Sequence, residues 1–351
     1  MWSDIKDTAL NIVRSDERYR TLSHAGLDEW MLSTGYQSAG QAHTSTKALL
    51  YTFAASLCNA GGPGPGFQAF AEMVAGAADG YIVQNILQPV DLPQFSDACY
   101  LYLAQADARP LAKNGRVDYP EDIRQMAGGL IPRRSKGVPV VLQLLTGVVG
   151  FMDFLRLRYQ GDARVYHAAF DRPHHVGDPT EFVVERFQEI AHLSRVGVAV
   201  AMNFFKDSQA PALRGQPLAS ALANQTGWYI KPDMHVLRLM LRATGRSHAA
   251  GVSDKMLVTL KESEAARLYG SQAGTGIWSA EYQLHRRRPN VERGKWDCVE
   301  DVHRWASMDA VAPLEIDRTL YLVGSGRYGT GKRLAMSQAE RYHTMFAAMR
   351  V

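Results

Sequence analysis

A chain of 351 residues, 46% hydrophobic and 21% charged, is long enough for one large or two ordinary domains, and its composition is neither disordered nor membranous. A net charge of +4 is too small to imply a nucleic-acid partner by itself. The three scattered cysteines, Cys58, Cys99 and Cys298, give no disulfide framework and no zinc or iron–sulfur spacing, and Met1 to Arg18 mixes charged with apolar residues where a secretion signal would have a basic then apolar run, so a reducing cytoplasm is expected.

Apolar residues recur at helical spacing, and strand alternation is scarce. In chain order, helices are expected at Thr46–Asn59, stopped by the Gly/Pro run 61–66, then at Phe67–Ala78, Ser96–Ala106, Val138–Tyr159, Thr180–Leu193, Ala199–Lys206, Pro232–Ala243, Ser253–Tyr269, Val299–Ser307 and Lys332–Met349. Asp178-Pro179-Thr180 and Ser253-Asp254 are start signals, and Pro313 reads as the first residue of a further helix. The longest apolar run, Val138 to Leu155, contains Gln143, Gly147, Gly150 and Asp153, which suits a buried core helix better than a bilayer span of about 20 nearly uncharged residues. An all-α fold follows, divided here into an N-terminal helical region, 1–137, and a second helical region, 138–351.

Two segments of the second region carry chemistry. Lys231-Pro232-Asp233-Met234-His235-Val236-Leu237-Arg238 puts a carboxylate at the start of an amphipathic helix, where the positive end of the helix dipole favours its ionised form. Upstream, Leu193-Ser194-Arg195-Val196-Gly197-Val198-Ala199-Val200-Ala201 reads as a helix end, a tight glycine turn and a new helix. Together these segments resemble the helix-hairpin-helix DNA glycosylases, the superfamily of endonuclease III and oxoguanine glycosylase, over roughly residues 185–246. In that family an apolar-x-Gly-apolar-Gly hairpin precedes a helix and then an Asp-x-His-apolar-x-Arg helix start, matched here by Asp233, His235, Val236 and Arg238. Two departures stand out. Arg195 occupies the place of the family's first hairpin glycine, and a long polar loop from Asp207 to Trp228 separates the two segments.

The resemblance implies two helical subdomains with the active site in a cleft between them. It assigns Asp233 as the catalytic carboxylate, which faces the cationic sugar that forms as the base departs and orients or deprotonates water. Arg195, Val196, Gly197 and Val198, with Lys206 further along the helix, are the expected DNA-backbone contacts. Trp228 and Tyr229 are candidates for stacking on a flipped base or wedging the duplex, with two core aromatics as the plainer reading. Bifunctional members carry a nucleophilic lysine just after the hairpin; Ala199 stands there, so a monofunctional enzyme that leaves an abasic site is implied. His235 and Arg238 read as structural.

The expected partner is double-stranded DNA with one base extruded, bound by a monomer with no cofactor, metal or membrane. Residues 190–250 hold seven basic residues against two acidic, and a second basic cluster, Arg286-Arg287-Arg288 with Arg293 and Lys295, follows Trp278 and Tyr282. The base itself, whether a lesion met in repair or a hypermodified phage base such as glucosylated hydroxymethylcytosine, is not readable from these residues. The competing class is a non-catalytic DNA-binding protein that keeps the hairpin as a clamp. Gly324-Ser325-Gly326-Arg327-Tyr328-Gly329-Thr330-Gly331-Lys332-Arg333 matches a nucleotide-binding glycine pattern, but Arg333 offers no hydroxyl for Mg²⁺ and only 18 residues follow it. It reads as a glycine-rich turn between helices. His174 and His175 point to different sides of an extended loop and are not expected to bind metal.

Overall fold

The computed structural model describes residues 2–32, 45–59, 71–72, 74–77, 140–170, 179–193, 196–208, 228–271, 289–329 and 333–349. Among them the chain is helical with no named strand, and the one β-bridge pairs Arg327 with Arg333. The fold is all-α. None of the described helices is long and apolar enough to cross a membrane. The expected helices around Phe67–Ala78 and Ser96–Ala106, the boundary at 137/138, His174, His175 and Arg286 to Arg288 fall wholly or partly outside the described residues.

The contacts divide the chain into two compact units, Met1–Ser33 with Pro211–Val351, and Thr34–Ala210. The first unit is thus built from both ends of the chain. Its α1 (Trp2–Arg14) buries Trp2, Ile5, Ala9, Ile12 and Val13, a spacing that makes one apolar stripe. It is followed by a 3-10 turn (Glu17–Tyr19) and α2 (His24–Leu32). Trp2 donates its indole N–H to Glu315 at 3.2 Å, and Lys6 bridges Asp28 at 2.6 Å and Glu315 at 2.9 Å. These contacts engage one oxygen, Oε1, of a fully buried carboxylate and tie the N-terminus to a helix some 300 residues later.

In the second unit, α3 (Thr46–Asn59), α4 (Val140–Tyr159), α5 (Ala163–Phe170), α6 (Pro179–Ala191) and α7 (Val198–Ser208) enclose an aromatic core. Phe53 stacks on Phe151 at 4.0 Å, and Phe204 meets both edge-on at 5.2 and 5.1 Å. Asn203 sits inside this core and donates to Ser56 at 3.1 Å and Asp207 at 3.0 Å, so its burial leaves no amide N–H wasted.

The first unit continues with α8 (Met234–Ala243), a single turn α9 (Arg246–Ala249), α10 (Asp254–Thr259), α11 (Glu262–Ser271), α12 (Pro289–Met308), α13 (Pro313–Ser325) and α14 (Gln338–Ala348). Three boundaries differ from the sequence reading. The helix expected over Ser253–Tyr269 is two, because Leu260 leaves helical geometry and its carbonyl accepts from the buried Arg238 at 2.7 Å, while Glu264 caps the restart by accepting from Lys261 N–H at 2.7 Å. The last helix starts at Gln338, set by a Ser337–Glu340 capping box. Pro289–Met308 begins ten residues before the expected Val299.

Along α12, Asp301 accepts from Tyr269 at 2.7 Å and pairs with Arg246 at 2.9 Å. Asp297, one turn earlier, is less fortunate: Arg293 is 3.7 Å away and its Oδ2 makes no hydrogen bond. Burial, against the pull of Arg293 and Arg246, pushes its pKa up to about 6. A carboxyl whose folded pKa is raised contributes stability below its unfolded value, and that contribution is lost as the pH rises through the folded value. Asp297→Asn is therefore expected to melt higher than the parent at pH 7, with the difference vanishing towards pH 4; equal melting temperatures at both pH values would contradict it.

Candidate functional site

Asp233 is the N-cap of α8, with extended backbone at φ −87° and ψ −176°. Its Oδ1 accepts the N–H groups of His235 at 2.8 Å and Val236 at 2.9 Å, as a capping carboxylate should. Its Oδ2 makes no hydrogen bond to any described residue, and the side chain is half-buried. One oxygen is therefore fixed by the helix and the other is presented outward, in the partial positive field of the helix start.

The first turn of α8 is held from three sides. His235 Nδ1 lies 3.0 Å from the hydroxyl of Tyr342 on α14, and Tyr321 of α13 meets its ring edge-on at 6.1 Å. Gly324 of α13 touches it directly: a Cβ there would lie 2.4 Å from His235 Cβ. Burial holds the His235 pKa down despite Asp233, with Arg238, Arg341 and Arg327 acting in the same direction. Burial likewise pushes Tyr342 up to about 12, against a hydrogen bond from Arg238. The hydrogen bond between the phenol and His235 Nδ1 fixes the imidazole ring against α14. Arg238 is buried and bonded to Leu260 O through both Nε and Nη2, so it serves the scaffold.

Trp228 and Tyr229 precede this turn. Tyr229 is only 4% exposed and belongs to the core. Trp228 is half-buried; its carbonyl lies 3.0 Å from His303 Nε2, its ring 6.0 Å from the His303 ring, and its indole N–H has no acceptor. Of the pair expected to face a base, Trp228 alone retains appreciable surface.

The hairpin segment lies in the second unit. α6 ends at Ala191, and α7 begins at Val198 after a turn in which Arg195 and Ser194 lie outside the described residues. Phe187 and Phe205 pack edge-on at 5.2 Å between the two helices. Val196 and Val198 are buried, and Gly197 O accepts from Val200 and Ala201 N–H, both at 3.0 Å. A Cβ on Gly197 would meet nothing within 4 Å, so neither packing nor a left-handed backbone requires glycine there. Ala199 and Lys206 are half-buried on α7.

The second basic cluster does not supply free charge where it is described. Lys295 is 4% exposed and paired with Glu262, and Arg293 faces Asp297. Among the described residues no group of histidines, cysteines or carboxylates forms a metal site, and Cys298 is a buried free thiol whose pKa burial pushes up. His303, Tyr321, Gly324 and Tyr342 were absent from the sequence-derived site. Each comes from a distant helix, with Tyr342 107 residues beyond His235; only Gly324 stands in a recognisable pattern, and that glycine run does not point to His235. Comparison with known protein families, characterised proteins and solved structures finds no match to this chain.

Proposed function

We propose that this chain is a monofunctional DNA N-glycosylase of the helix-hairpin-helix type, which extrudes a damaged or modified base and hydrolyses its bond to deoxyribose. The observation that carries the reading is the half-free carboxylate of Asp233, one oxygen locked by two backbone N–H groups and the other unbonded and outward. As the C1′–N bond breaks, its electron pair leaves with the base, and the sugar gains oxocarbenium character. A fixed carboxylate stabilises that charge without reorganising. Oδ2 then takes a proton from the water that adds to C1′, and the departing base is reprotonated from solvent. His235, packed against Tyr342, Tyr321 and Gly324, holds the turn that carries this carboxylate.

The hairpin turn of the second unit would meet a backbone phosphate through the N–H groups of Val198 and Ala199 at the start of α7, which have no acceptor among the described residues. With Ala199 at the position of the family's lysine, no amine is placed there to form a Schiff base. The expected product is an abasic site without a nick: alkali should cleave the treated strand, while borohydride should trap no protein–DNA adduct. A trapped adduct would contradict the monofunctional assignment.

A further inference from the structure

After α13, the described residues 326–329 and 333–336 are tied to one another and to the N-terminal segment. Gly326 takes the left-handed conformation that ends the helix (φ +67°), its N–H bonding Leu322 O, and Gly329 takes it again (φ +69°). Leu334 N–H returns to Gly326 O at 2.8 Å, and Arg327 pairs with Arg333 in an antiparallel bridge. The N-terminal segment fastens these residues from outside. Asp16 accepts from Ala335 N–H at 3.0 Å, Arg18 donates to Arg333 O at 2.8 Å, and Tyr19 donates to Tyr328 O at 3.3 Å. The Tyr328 ring is buried against Tyr19 at 4.8 Å and Trp30 at 5.2 Å. Beneath it the buried Arg341 donates to Val323 O at 2.7 Å, Gly324 O at 3.4 Å and Met336 O.

What these residues display is a pair of like charges. Residues opposite one another in an antiparallel bridge project from the same face, and Arg327 and Arg333 are both exposed. Neither guanidinium has an ion pair or hydrogen bond among the described residues. Two nearby carboxylates are already engaged, Asp16 by Arg18 at 2.6 Å and Glu340 by Ser337 N–H at 2.9 Å. Like charges at directly opposed bridge positions are unfavourable, and a phosphate, with acceptor oxygens for both planar forks, would offset that cost. The place is informative too: Gly324, three residues before Arg327, packs on His235, and the charge of Arg327 is felt there.

We propose that Arg327 and Arg333 form a phosphate clamp that grips the DNA backbone at the end of the first unit where α8 begins. The identity of the polyanion rests on the glycosylase reading; the clamp itself does not. The test compares D233N, which keeps DNA intact during measurement, with D233N/R327Q/R333Q, by duplex affinity between roughly 50 and 200 mM salt. Losing two phosphate contacts should weaken binding and flatten the slope of log affinity against log salt by about 2. The melting temperature should stay put, since both side chains are exposed. Restoring charge with R327K/R333K should recover most of the slope.

An unchanged slope in a folded double variant overturns the clamp, as does the absence of any DNA binding. Titration with inorganic phosphate separates the other source of the same chemistry: arginine-dependent micromolar phosphate binding with an unaltered DNA slope would assign the pair to a free phosphate and overturn the DNA assignment. A reduced slope in a protein that releases no base would leave the clamp standing and remove the glycosylase.

Discussion

Asp233→Asn is expected to abolish base release while leaving the fold and duplex affinity nearly intact. Asparagine is as good an N-cap as aspartate, so the two hydrogen bonds from His235 and Val236 survive, and the lost charge–dipole attraction of this half-buried group is worth at most about 2 kcal/mol. What disappears is the negative charge opposite the sugar as it becomes cationic. Removing one preorganised electrostatic group costs about 10²–10³ in rate, or roughly 3–4 kcal/mol of barrier. Asp233→Ala removes the charge and the cap together, so it should match Asn in rate but melt lower, by about 1 kcal/mol of stability. Single-turnover rates and melting curves on the two variants separate the roles; an undiminished rate in Asp233→Asn removes the catalytic assignment, and a loss of rate that merely tracks the folded fraction makes Asp233 a cap and nothing more.

The largest expected effect on stability lies far in sequence from that carboxylate. Helices α11 and α12 cross where Gly294 meets Ala266 and Gly270, and a Cβ on Gly294 would stand 1.6 Å from Ala266 O and 2.9 Å from Gly270 N. Those neighbours are backbone, so no rotamer change relieves the overlap and the helices must separate. Overpacking ordinarily costs about 1–3 kcal/mol where side chains can give. Gly294→Ala should cost at least the upper part of that range and lower the melting temperature by on the order of 10 °C. It should also loosen the Lys295–Glu262 pair across the same contact. A melting temperature within about 2 °C of the parent would show that the helices are not in backbone contact.

How far these features were legible in the sequence depends on their range. Thr46–Asn59 and the helix ending at Tyr159 are written in local periodicity and glycine stops, and the structure has them at nearly those bounds. The amphipathic spacing of Trp2, Ile5, Ala9, Ile12 and Val13 was equally available and marks α1. By contrast, nothing near Leu260 announces the break between α10 and α11, because the group that claims its carbonyl is Arg238, 22 residues earlier. The start of α14 was misplaced because Lys332 follows glycines without showing that the chain first folds back to pair Arg327 with Arg333.

The site divides in the same way. Asp233 as a helix cap is a local property of a carboxylate before an amphipathic segment, and it was readable. That Trp228 keeps surface while Tyr229 is core was not, since adjacent aromatics look alike until the packing is known. The cage around His235 comes from Tyr321, Gly324 and Tyr342, which share no spacing with it. The arginine pair was hidden inside a glycine pattern whose obvious reading, a nucleotide loop, fails for lack of a metal-binding hydroxyl at Arg333.

The most direct measurement is the chemical identity of what leaves the DNA. Duplexes carrying oxidised, alkylated or glucosylated hydroxymethylcytosine bases would be incubated with the protein and with Asp233→Asn, the small-molecule fraction weighed by mass spectrometry, and abasic sites counted in the same samples. The expected result is one free base released from one class of duplex, equal in amount to the abasic sites formed, and absent with Asp233→Asn. Duplex that is bound but yields neither free base nor abasic sites from any member of the panel would contradict the glycosylase and leave a DNA-binding protein.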